Sequence, residues 1–140
     1  VVLTGTDPSG NSAACNATVT VQDLIDPTIT CPGPVSVDTD AGSCDATGVA
    51  LGVPVTGDNC GIASVTNDAV EPYALGATTV TWTVIDDNGN NNTCTQTVNV
   101  TDNENPVASC PGNISQNVDA NQCEASVTVP LATFTDNCMG

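Results

Sequence analysis

No lysine, arginine or histidine occurs in these 140 residues, against sixteen aspartates and glutamates, for a formal net charge of −16. With nothing to neutralise phosphate, nucleic-acid binding is excluded, and so is attraction to an anionic membrane. Without histidine, nucleophile–histidine and metal–histidine catalysis are excluded as well. Trypsin-type cleavage sites are missing for the same reason. Aromatics are nearly absent, at one Trp, one Tyr and one Phe. A small, aromatic-poor unit offers no sugar-stacking platform and no cleft to hold paired carboxylates across a glycosidic bond. No enzymatic activity is expected. No apolar run is long enough to span a bilayer and no leader is recognisable, as expected for the interior of a longer mature chain.

What is present is a repeated hairpin. Val80, Trp82 and Val84 alternate with threonines, the period-two pattern of a half-buried strand. Asp86-Asp87-Asn88-Gly89-Asn90 is turn chemistry, and Cys94, Gln96, Val98 and Val100 alternate on the return. The same order opens the chain, with Asp7-Pro8-Ser9-Gly10-Asn11 as the turn and Cys15 beyond it. One common offset separates Cys15 from Cys94, Asn11 from Asn90, Val21 from Val100, and Cys31-Pro32 from Cys110-Pro111. Cys44 and Cys123 keep that offset, and Asp58-Asn59-Cys60 returns, a single position early, as Asp136-Asn137-Cys138. A period of roughly 79 residues, kept by so many landmarks, implies a tandem array. Residues 26–104 form one complete module, 1–25 the closing hairpin and linker of the module before, and 105–140 the first half of the module after.

A module of this size buries little core, so other forces must hold it. Eight cysteines at repeating positions, without histidine or a CxxC pair, point to disulfides rather than zinc. Disulfides in turn imply a secreted or cell-surface setting. Strands are expected over Thr28–Asp38, Cys44–Val55 and Ile62–Asp68, followed by the hairpin, with loops over Thr56–Gly61 and Ala69–Gly76. Pro32 and Pro34 suit an edge or a bend. Helical periodicity is absent, so the fold class is all-β, a β-sandwich.

The order Asp26-Pro27-Thr28-Ile29-Thr30-Cys31-Pro32, Gly42-Ser43-Cys44, Asp58-Asn59-Cys60, Val80-Thr81-Trp82-Thr83-Val84 and Gly89-Asn90-Asn91-Asn92-Thr93-Cys94 resembles the hyalin repeat, or HYR, family over nearly the whole chain. The four-cysteine form is similar to arrays in large bacterial surface proteins. The resemblance implies immunoglobulin-like modules in tandem, extracellular, with an adhesive or scaffolding role. The earlier copy departs from the pattern, with Leu3 at the position of Trp82 and Gly5 at that of Val84.

In such a sandwich Cys31, Cys60 and Cys94 gather at one end. Cys44 lies at the other, more than about 20 Å away at roughly 3.3 Å per strand residue, beyond the ~7 Å Cα limit of a disulfide. That favours Cys31–Cys94 within the module and Cys44–Cys138 across the junction, with Cys15, Cys60, Cys110 and Cys123 paired outside this stretch. Local Cys44–Cys60 or Cys60–Cys94 pairing is the alternative.

The linker acids and loop acids suggest calcium, which takes six to eight oxygens in irregular geometry. Asp23, Asp26, Asp58 and Asp86 are the candidates at the first junction, with Asp102, Glu104 and Asp136 as counterparts at the second. Solvated turn residues are the competing reading, since Asp and Asn favour turns on backbone grounds alone. The sequons at Asn16, Asn91, Asn99 and Asn113 permit glycosylation but arise readily in so Asn- and Thr-rich a chain. Two functions follow: a segment of a stiff extracellular fibre whose partners are neighbouring copies of the module, or an adhesin recognising a cell-surface or glycan ligand. A binder should cluster exposed aromatics. Trp82, Tyr73 and Phe134 do not cluster in sequence, which favours the fibre.

Overall fold

The computed structural model describes residues 1–138 and contains only strands as regular elements among them. They are β1 Val2–Thr6, β2 Ser12–Asn16, β3 Thr28–Thr30, β4 Val35–Asp38, β5 Asp45–Ala46, β6 Val55–Gly57, β7 Ile62–Asn67, β8 Tyr73–Ala74, β9 Gly76–Asp86, β10 Asn91–Thr101, β11 Val107–Ser109 and β12 Thr133–Thr135. The protein is an all-β, immunoglobulin-like sandwich with short strand pairs on either side in sequence.

β9 and β10 are the longest strands, and the alternation read from the sequence decides which way they face. Val80, Trp82 and Val84 on β9, with Gln96, Val98 and Val100 on β10, are buried. The intervening threonines, β-branched and suited to a pleated surface, point outward. The sheet order is β4-β10-β9-β7, with β4 parallel to β10 and β7 antiparallel to β9. The second layer consists of the pairs β3–β6 and β5–β8. Between the layers, Ala46, Tyr73, Val80, Trp82, Val98 and Val100 form the core, with Ile29, Val37 and Leu51 packed at its margin.

Three expectations about strands are corrected. Thr28–Asp38 is not one strand. β3 pairs antiparallel with β6 in one layer, and β4 pairs parallel with β10 in the other. The chain changes layer over Cys31-Pro32-Gly33-Pro34, where two prolines lack the N–H a ladder needs. Cys44–Val55 is likewise strand only near its ends, and β6 runs on into Thr56 and Gly57, which were expected in a loop. Gly48 and Gly52 adopt φ of 66° and 83°, outside the region that regular strand occupies. This irregular stretch is pinned by the Glu71 carboxylate, which accepts from the N–H groups of Gly48 at 3.0 Å and Val49 at 2.9 Å. The loop expected over Ala69–Gly76 contains β8, whose Tyr73 is fully buried.

The flanking pieces keep the register of the central module. Leu3 faces Cys15 in β1–β2 as Trp82 faces Cys94 in β9–β10. Ala108 faces Phe134 in β11–β12 as Ile29 faces Thr56 in β3–β6. Each flanking pair thus shares its register with a pair of the central sandwich. The hairpin tips match atom for atom. Asp7 accepts from Ser9 N–H, Asn11 N–H and Asn11 Nδ2, each at 2.9 Å. Asp86 accepts from Asn88 N–H at 2.9 Å, Asn90 N–H at 2.8 Å and Asn90 Nδ2 at 2.6 Å.

Candidate metal centre

Three segments meet at one end of the central module. The linker supplies Asp23, the loop after β6 supplies Asp58, and the β9–β10 tip supplies Asp86. One carboxylate oxygen from each lies within 4.8 Å of the others. The tip holds the linker through its amides: Asn88 Nδ2 donates to Asp23 Oδ2 at 3.3 Å, Asn90 Nδ2 to the Asp23 carbonyl at 3.4 Å, and Asn92 Nδ2 to the Pro27 carbonyl at 3.0 Å. Those asparagines follow from turn chemistry, but their grip on a linker so distant in sequence does not.

The electrostatics favour ionised carboxylates. Burial alone would raise the Asp86 carboxyl, yet the Asn90 side chain and the N–H groups of Asn90, Asn88 and Gly89 outweigh it and hold the group below the usual range. Asp23 is also lowered, first by the Ile25 N–H and then by the side chains of Asn59, Cys60 and Asn88. Asp58 Oδ2 accepts from Cys60 N–H at 2.7 Å and Gly61 N–H at 3.0 Å, while its Oδ1 is buried without a hydrogen-bond partner. A buried, orphaned carboxylate oxygen beside two more carboxylates lacks a positive partner, and the chain has no cationic side chain to offer. The donors are all hard carboxylate oxygens, which fits calcium rather than a transition metal. Asp26 is not among the converging oxygens; it lines the adjacent groove with Ile25, Thr28, Gly57, Asp58 and Asn59.

The second junction is built from the corresponding residues. Asp102 Oδ1 accepts from Glu104 N–H at 2.9 Å, as Asp23 Oδ1 does from Ile25 N–H at 3.1 Å. Asp136 Oδ1 accepts from Cys138 N–H at 3.0 Å. Asn137 Nδ2 reaches the Ser43 carbonyl at 2.7 Å and Asp102 Oδ1 at 3.4 Å, and its own Oδ1 is buried without a partner. Glu104 is turned aside to accept from Gly42 N–H at 2.8 Å. Asp102, Glu104 and Asp136 form no converging cluster among the described residues.

Two disulfides are present among the described residues. Cys31–Cys94 ties the end of β3 to β10 at a Cα separation of 5.8 Å, and Cys44–Cys138 crosses the junction at 4.9 Å. Cys15, Cys60, Cys110 and Cys123 are unpaired and exposed. The Cys60 thiol is pushed up, first by its hydrogen bond to Asp23, then by burial and the charges of Asp23 and Asp58.

Sequence reasoning missed Gln96. It is buried, accepts from Trp82 Nε1 at 3.0 Å and donates to the carbonyls of Gly33 at 2.8 Å and Leu51 at 2.9 Å. A glutamine at an inward position between Cys94 and Val98 was the available signal.

Among known proteins, the chain is 32% identical over 139 residues to hyalin of Strongylocentrotus purpuratus and 29% identical over 143 residues to hyalin of Lytechinus variegatus. The alignments cover 94% and 97% of this chain but only 12% and 27% of those relatives. No solved structure matches. The HYR domain matches residues 22–100, spanning the linker, the acidic loop, the hairpin and the Cys31–Cys94 bond, and the chain belongs to the HYR domain family.

Proposed function

We propose that this chain is a non-catalytic structural segment of an extracellular or cell-surface fibre built from tandem HYR modules, stiffened by disulfides and by calcium. The observation that carries the reading is the convergence of Asp23, Asp58 and Asp86 from a linker, a loop and a hairpin tip onto one point. A cation there would bind the linker to the module it enters. It would also offset part of the −16 charge, whose self-repulsion otherwise opposes a compact state. The Cys44–Cys138 bond supports the same reading from the other side, because it fixes one module's turn to the next module's loop. The coinciding registers of the flanking pairs support the tandem repeat.

Extracellular calcium modules bind at roughly 10⁻⁴–10⁻³ M. At about tenfold excess over Kd, binding adds about 1.4 kcal/mol, which raises Tm by about 6–11 °C in a unit of this size. Melting followed by circular dichroism, in millimolar calcium against chelator, tests it. The shift is expected in the native chain and absent in Asp58→Asn. An unchanged Tm in the native chain removes calcium from the account.

A further inference from the structure

We propose that Asn88-Gly89, at the tip of the β9–β10 hairpin, is a self-modification site. It deamidates, and the carboxylate that replaces the Asn88 amide releases the linker from the tip unless a cation holds the two together. The inference deepens the calcium reading of this site and rests on it only for the response to the cation.

Loss of ammonia from an asparagine requires the next residue's backbone nitrogen to reach the side-chain carbonyl carbon. Glycine permits this best, because it has no side chain to obstruct the approach and ready access to unusual backbone angles. Of all the asparagines in the chain, only Asn88 precedes a glycine. Gly89 has φ of 93°, and both residues are exposed to the water that the reaction consumes. The Gly89 N–H makes only a long bond, 3.3 Å, to the Asp86 carbonyl. Neighbouring asparagines are held more firmly. Asn90 Nδ2 is bound to Asp86 Oδ2 at 2.6 Å, and Asn92 Nδ2 to the Pro27 carbonyl at 3.0 Å. Asn91 and Asn92 also lie in the ladder, opposite Ile85 and Val84, where extended backbone keeps the following nitrogen away from the side chain.

The step balances with water alone. The Gly89 nitrogen attacks Asn88 Cγ; as the new N–C bond forms, the Cγ–Nδ2 bond breaks, and ammonia leaves with the proton of the Gly89 N–H. Water then opens the cyclic imide at either carbonyl, breaking one N–C bond and returning a proton to the nitrogen. The products are aspartate, or isoaspartate with the chain routed through Cγ. No electrons are exchanged with an outside partner.

What changes is the contact to the linker. Asn88 Nδ2 donates to Asp23 Oδ2 at 3.3 Å. A carboxylate cannot donate, and it sets a fourth negative group beside Asp23, Asp58 and Asp86. Without a cation the linker is repelled from the tip. With calcium the added oxygen raises the ligand charge, which strengthens binding. The leading hairpin supplies a control, because Ser9-Gly10 stands where Asn88-Gly89 does. Gly10 has φ of 88°, and its N–H meets the Asp7 carbonyl at 3.0 Å. Serine therefore keeps this turn, and it cannot deamidate.

The test ages the full chain in warm, mildly alkaline buffer and maps it by mass spectrometry after cleavage before aspartate, with isoaspartate scored by enzymatic methylation. The mass gain of amide-to-acid exchange is expected at position 88 ahead of every other asparagine, and absent there in Asn88→Ser. In chelator, Asn88→Asp should melt below Asn88→Ser, and calcium should raise its Tm more than it raises that of the native chain. Persistence of Asn88 while other asparagines convert overturns the inference. So does Asn88→Asp melting level with Asn88→Ser in chelator, or responding to calcium more weakly than the native chain. Deamidation at position 88 with the lower melt, but no calcium response in any chain, upholds release of the linker and counts against calcium alone. A native calcium shift with Asn88 intact does the reverse.

Discussion

Gln96 illustrates how one polar residue organises an otherwise apolar core. Its amide oxygen takes the Trp82 indole N–H, and its amide nitrogen holds the carbonyls of Gly33 and Leu51. Gly33 lies where the chain changes layer, and Leu51 lies in the irregular stretch between β5 and β6. Neither segment has a ladder to satisfy its backbone, so the side chain takes the place of a strand. Gln96→Leu keeps the volume and leaves one donor and two acceptors buried without partners. At about 1–3 kcal/mol for each such group, partly relieved by rearrangement, the expected loss is on the order of 3 kcal/mol. Urea unfolding followed by Trp82 fluorescence measures it. A midpoint shift equivalent to under about 1 kcal/mol would mean that water reaches these groups.

At the scale of elements, much of the fold was legible and some was not, for one physical reason. The β9–β10 hairpin, its inward face and its tip are encoded by neighbours in sequence: alternation, threonine, and Asp-x-x-Gly-Asn turn chemistry. The layer change at Cys31–Pro34, the parallel pairing of β4 with β10 and the burial of Tyr73 depend on partners tens of residues away, and no local pattern carries them. The acidic site divides in the same way. Asp23, Asp58 and Asp86 were readable as linker, loop and tip acids, whereas the turning of Glu104 toward Gly42 depends on a distant backbone N–H. The tip itself makes a pH prediction. Asp86 and Asp7 both have carboxyls held below the usual range, Asp7 first through the Asn11 side chain. A folded pKa below the unfolded value, near 3.9, contributes stability that is complete above that value and lost as pH falls through the folded one. Thermal melts in calcium-free buffer should be flat from about pH 7 to 5 and decline below about pH 4. In Asp86→Asn, which sets an amide N–H₂ against Asn90 Nδ2, Tm should be lower at neutral pH and the acid decline shallower. An identical acid decline in native and variant chains would assign the effect to other carboxylates.

Across the whole molecule, rigidity has to come from junctions, because the core of the central module is small. The second junction gathers a disulfide, the Asn137 side chain and the Glu104 carboxylate around the turn Thr39–Cys44. Of these, only the disulfide resists water and salt. The hydrogen bonds at exposed sites are individually weak. Cys44→Ser/Cys138→Ser should therefore unfetter the junction without unfolding the central module, whose own closure is Cys31–Cys94. The Tm of the central module should move by a few degrees at most, because the removed bond joins it to a neighbour rather than closing it. The angle between the pieces should broaden instead, visible as a longer and more variable maximum dimension in small-angle scattering. Calcium should narrow that distribution at the first junction, where Asp23, Asp58 and Asp86 converge, and leave the second unaffected, where no third carboxylate closes the site among the described residues. Unfolding of the central module on loss of Cys44–Cys138 would mean that the modules are not separate folding units, and the chain would then be a continuous sandwich rather than a string of linked ones.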